Sequence, residues 1–74
     1  MKIFKISHQK KGYNIYKGFV VVAKEESIAR NMAKNNSADE GGLIWLMDAV
    51  VVEVGNYTGN ETSPFILLSD FNAG

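Results

Sequence analysis

His8 is the one histidine of this 74-residue chain, and no cysteine accompanies it. Neither a thiol–imidazole dyad nor a thiolate metal site can therefore be assembled. The serines Ser7, Ser27, Ser37, Ser63 and Ser69 lack the strand–turn–helix setting of an activated nucleophile. His8 itself falls in or beside a polar hairpin loop, where an exposed role is the simplest expectation. The adjacent acids Glu25–Glu26 match the electrostatics of a helix start, and Asp39–Glu40 match a solvated loop, so neither pair suggests acid–base catalysis. One histidine with scattered carboxylates has no metal-ligand spacing. Gly41–Gly42 lacks the lysine and hydroxyl that complete a phosphate-binding loop. The reading is a non-enzymatic protein with no cofactor and no metal.

Binding chemistry is better represented. Lys10, Lys11 and Lys17 are interleaved with Tyr13 and Tyr16, a pattern in which amines neutralise anions beside aromatic faces. Tyr57, in a turn-rich segment, is a further contact candidate, because an aromatic on a turn has less core to enter. Six lysines and no acid precede Glu25, whereas from Glu25 onward there are eight acids with only Arg30 and Lys34, so two segments of +6 and −6 hide behind formal neutrality. Zero net charge and a single arginine argue against a polynucleotide ligand. An acidic protein surface or a small phosphorylated nucleotide suits the local patch better.

The elements that would carry these residues follow from periodicity. Lys2–Ser7 alternates as a strand. The polar stretch His8–Gly12 leads into Tyr13–Tyr16 and on through Phe19–Val22, which reads as a hairpin whose second strand is bent at Gly18. Over Glu25–Asn35 the period changes: Ile28 with Met32 and Ala29 with Ala33 form one apolar stripe. This helix has no side-chain N-cap, and Asn35–Asn36 is expected to stop it in the left-handed conformation. Leu43–Met47 is too short to classify by period; Trp45 within it suits packing. Val50–Val54 and Phe65–Leu68 are strands.

The chain is thus one α+β domain, residues 1–74, of order β-β-α-β-β: a four-stranded antiparallel sheet with one helix on one face. A crossover from the second strand through the helix places the first strand beside the third, in the order 2-1-3-4. One short helix covers one face. The other face, with Ile3, Tyr16, Val51 and Leu67 as candidates, is left for a partner, and a homo-oligomer is expected. No run approaches the roughly 20 apolar residues of a membrane span. The alternating N-terminus is unlike a signal peptide, so the expected location is the cytoplasm, and the sequons at Asn56 and Asn60 are read as turn residues.

The terminal Leu68-Ser69-Asp70-Phe71-Asn72-Ala73-Gly74 resembles the "SFNAG"-type ending of a group of small, mostly uncharacterised phage and prophage proteins. The order of the Tyr-rich segment, Phe19 to Ala23, Glu25–Glu26 and Ala29–Arg30 is also similar to theirs. Lys24, where that group often has Ser, and Asp70 depart from the pattern. The resemblance implies a phage-encoded accessory protein acting in the host cell. Its expected role is a counter-defence inhibitor of a host immune protein, in the manner of anti-CRISPR proteins; alternatively, it is an oligomeric sponge for cyclic-nucleotide or similar immune signals.

Overall fold

A computed structural model describes residues 1–9, 15–37 and 43–72. Strands β1 (Lys2–Ser7), β2 (Ile15–Ala23), β3 (Val50–Asn56) and β4 (Phe65–Asn72) form one antiparallel sheet, with helix α1 (Glu26–Asn36) and a π-helical turn (Ile44–Asp48) between β2 and β3. The expected α+β class and the β-β-α-β-β order hold.

The sheet order is β3-β1-β2-β4. β1 lies between β2 and β3 as the crossover requires, but β4 pairs with β2 rather than β3, which corrects the order 2-1-3-4. The residues 57–64 between β3 and β4 can reach about 26 Å when extended, at about 3.3 Å each. Crossing three strand spacings needs only about 14 Å. β2 offers the longer free edge, and along it Tyr16 meets Phe71 and Val21 meets Ile66.

The core lies between the sheet and α1. Phe4 and Ile6 of β1 and Phe19, Val21 and Ala23 of β2 are buried against Ala29 and Ala33, with Ile28 and Met32 packed beside them. This is the predicted stripe. Its alanines hold the helix close to the strands, and the volume left at the other end of the sheet is filled by fully buried Trp45.

Arg30 positions that tryptophan. A π turn closes with Ala49 N–H donating to Ile44 C=O (2.7 Å), and its remaining carbonyls need donors. Arg30 Nη1 donates to the carbonyls of Trp45 (3.1 Å) and Ala49 (2.9 Å), with a longer approach to Leu46 (3.4 Å). Its Nε donates to Glu26 Oε2 at 2.9 Å, one helical turn back.

Two details of α1 are informative. Its N-cap residue, Glu25, is extended and makes no side-chain cap hydrogen bond, as expected. It does not stop in the left-handed region: Asn35 and Asn36 are helical, and the cap residue Ser37 has φ −100°. Side chains satisfy the last carbonyls instead, Asn36 Nδ2 donating to Met32 O (2.7 Å) and Ser37 Oγ to Lys34 O (3.0 Å).

A domain this small holds only about 3–5 kcal/mol of stability, and removing a buried tryptophan side chain costs about the same. Trp45→Ala is therefore expected to leave the protein largely unfolded at 25 °C by far-ultraviolet circular dichroism. Arg30→Ala, which strips donors from two or three part-buried carbonyls, should also lower the urea midpoint sharply, at about 1–3 kcal/mol for each carbonyl stranded.

Candidate functional site: the open face of the sheet

The alternation Phe4, Ile6 toward the helix sends Ile3, Lys5 and Ser7 to the other face, and the register sets their neighbours. Three rows cross the sheet: Val50–Ser7–Gly18–Asp70, then Val52–Lys5–Val20–Leu68, then Gly55–Ile3–Val22–Phe65. The third row is closed. Val22 is fully buried, and Tyr57 packs edge-on to Phe65 with ring centroids 5.2 Å apart. A side chain at Gly59 would collide with the Tyr57 ring, the Cε1 atom lying 2.8 Å from where its Cβ would stand.

The first two rows are open. Val50, Val52 and Leu68 are 60, 49 and 64% exposed. This reverses an expectation: Val51 belongs to the covered face, packed on the core opposite Ile6, while its larger-patterned neighbours Val50 and Val52 point out. β3 takes its facing from β1, and Ile6 has only one inward partner position. Leu67 and Val54 are the unpaired residues of bulges and are exposed.

Between Lys5, Ser7, Lys17, Leu68 and Asp70 lies a concavity of about 570 Å³. Its floor is Gly18, whose position is dictated by a close approach: a Cβ there would lie 2.9 Å from the Ile6 carbonyl oxygen. The register shift between Tyr16 and Gly18 makes Lys17 a bulge residue at the rim of this depression. Lys5 and Asp70 carry opposite charges on the same face, and neither has an ion-pair partner among the described residues; the ion pairs there are Lys2–Glu53 (3.2 Å) and Arg30–Glu26.

The residues singled out from sequence separate into three groups. Lys17 lines the concavity. Lys10, Lys11 and Tyr13 lie outside the described residues. Tyr16 and Tyr57 are packing residues: the bulge at Lys17 turns Tyr16 to the helix side, where it stacks on Phe19 (5.1 Å, 21°) and meets Phe71 edge-on (4.8 Å). Tyr16 is thus removed from the open face.

His8 corrects another expectation. It is 7% exposed, continues the inward alternation of Phe4 and Ile6, and packs edge-on to Trp45 at 4.8 Å. Its Nε2 donates to the Tyr16 carbonyl (2.7 Å), and its backbone N–H donates to the Lys17 carbonyl (3.2 Å). The period-2 pattern extended to position 8 is the signal that would have found it. Lys5, Ser7, Gly18 and Asp70 were readable only once the register was known.

Among the described residues no cluster of three or more potential ligands for a metal ion occurs, and no helix is long and apolar enough to cross a membrane. Compared with protein-family models, curated proteins and solved structures, the chain matches none.

Gly18→Ala forces a methyl group against backbone and is expected to cost about 1–3 kcal/mol. Gly55→Ala meets only Ile3 Cδ1 at 3.9 Å and should stay within about 0.5 kcal/mol. Urea denaturation of the two variants side by side checks the difference; equal midpoints would refute the close approach at Gly18.

Proposed function

We propose that this chain is a small phage-encoded, non-enzymatic binding protein that inhibits a host immune protein in the cytoplasm of the host cell, as anti-CRISPR proteins do. The contact surface is the end of the open face where Val50 and Val52 form an apolar strip and Lys17 lines the adjoining concavity, with Lys10 and Lys11 a few positions before it in sequence. The observation carrying this reading is the outward orientation of the β3 valines. Exposed β-branched residues in a strand are costly to leave wet, and an apolar strip beside like charges is the usual anatomy of a protein contact. These lysines select an acidic partner and accelerate encounter. The resemblance of the C-terminal sequence to small phage proteins supplies the biological setting.

A second reading rests on the concavity. Its volume suits a small ligand, and two lysines with a serine hydroxyl suit phosphates. On this reading the protein is an oligomeric sponge for cyclic nucleotides or similar immune signals.

Plaquing by a targeted phage in cells with an active CRISPR–Cas system tests the first reading. The chain is expected to restore plaquing, and Lys10→Glu with Lys11→Glu to abolish that rescue, with the thermal midpoint of the variant measured beside it to show that the fold is retained. Calorimetric titration with cyclic di- and trinucleotides separates the second: sub-micromolar binding lost in Lys5→Glu supports the sponge and displaces the inhibitor.

A further inference from the structure

The β1, β2 and β4 columns of the open face present Lys5 and Ser7, Gly18 and Val20, and Leu68 and Asp70 in two matched rows. This patch is apolar at its centre and carries Lys5 and Asp70 on opposite sides of β2, neither in an ion pair among the described residues, with Lys17 at the rim of its depression. We infer that its occupant is a second copy of the same chain, bound face to face about a two-fold axis running along β2.

Self-complementarity is the argument. In an isologous interface every contact occurs twice, so a patch that meets itself must hold both partners of each pair, displaced to either side of the axis. Rotation about β2 keeps the rows and exchanges the columns. β1 then lies over β4 of the partner subunit. The stem of Lys5 covers Leu68 of the partner subunit, and its backbone stands one row, about 6.7 Å along the strand, from that of Asp70 of the partner subunit, a span the lysine side chain bridges. Ser7 falls opposite that same carboxylate and donates to it. The two ion pairs formed in this way engage Lys5 and Asp70, neither of which has an ion-pair partner among the described residues.

The axis itself is shaped for close approach. Gly18 sits on it, and no larger residue fits there because of the Ile6 carbonyl; beside it Val20 meets Val20 of the partner subunit. The two Gly18 depressions coincide across the axis and form one enclosed chamber. The closed third row, with Phe65 and Tyr57, bounds the contact at one end. β3 overhangs the three-strand contact, which leaves Val50 and Val52 accessible to the inhibitory partner, while Lys17 lies at the border of the two surfaces. A patch three strands wide is smaller than a standard stable interface, which sets the expected affinity in the micromolar range.

Sedimentation equilibrium between about 10 and 300 μM tests this on the unmodified chain, with circular dichroism confirming the fold of each variant. Wild type is expected to dimerise. Lys5→Asp alone and Asp70→Lys alone should each weaken association at least tenfold, because each sets like charges against one another. The double swap, Lys5→Asp with Asp70→Lys, should restore it. A wild-type monomer at 300 μM overturns the inference. A dimer indifferent to both single reversals overturns it too, by placing the contact elsewhere. Because dimerisation is tested at Lys5 and Asp70 and inhibition at Lys10 and Lys11, the two losses are read out by different variants.

Discussion

The grip of Arg30 on the π turn is the interaction on which the rest of this small fold depends. A helix built on Ala29 and Ala33 lies close to the strands but is too slender and short to fill the space above the hairpin end of the sheet. Trp45 supplies that volume, and it does so from a segment whose backbone is irregular and whose carbonyls would otherwise be buried without donors. One guanidinium satisfies them and ties the turn to the helix. Trp45 in turn gives His8 and Phe19 their aromatic neighbour, so the end of β1, the beginning of β2 and the crossover share a single packing unit. Disturbing it loosens the rim of the concavity on the far side of the same strands.

The parts of this architecture visible in sequence were those set by local pattern. The apolar stripe of α1, the alternation in β1 and the bulge near Gly18 each express a period within a few residues. What escaped was set at longer range. The facing of Val50, Val51 and Val52 depends on which of them opposes Ile6, and three consecutive valines carry no period to decide it. The edge chosen by β4 depends on the relative lengths of two free edges. Leu43–Met47 is apolar throughout, and its π turn is held by Arg30, more than a dozen positions earlier. Of the candidate site, Lys17 was legible as a charge beside a glycine. Tyr16 stands on the opposite face from the one expected, because a single bulged residue moves an aromatic across the sheet, and Tyr57 sits edge-on to Phe65 at the end of the sheet.

The two faces of the sheet solve opposite problems. On the covered face, polarity is removed: even the histidine is buried and hydrogen-bonded. On the open face, charge is retained within an apolar setting, with Lys5 and Asp70 separated so that they do not neutralise each other. Among the described residues, the basic and acidic segments are therefore not set apart as two hemispheres. β-pairing folds the basic N-terminal strands into the middle of the sheet, and Glu53 and Asp70 arrive on the flanking strands.

The placement of β4 also governs the order in which the molecule can be completed. Its partner, β2, precedes it by the helix, the π turn and β3, so this pairing is among the least local in the fold. Non-local pairings form late. During synthesis β1, β2, α1 and β3 can assemble while the long edge of β2 still lacks its neighbour, and an unpaired edge invites the wrong strand. The nascent protein thus passes through a stage at which its second strand is available to any extended segment nearby, and that stage closes only when residues 65–72 have emerged.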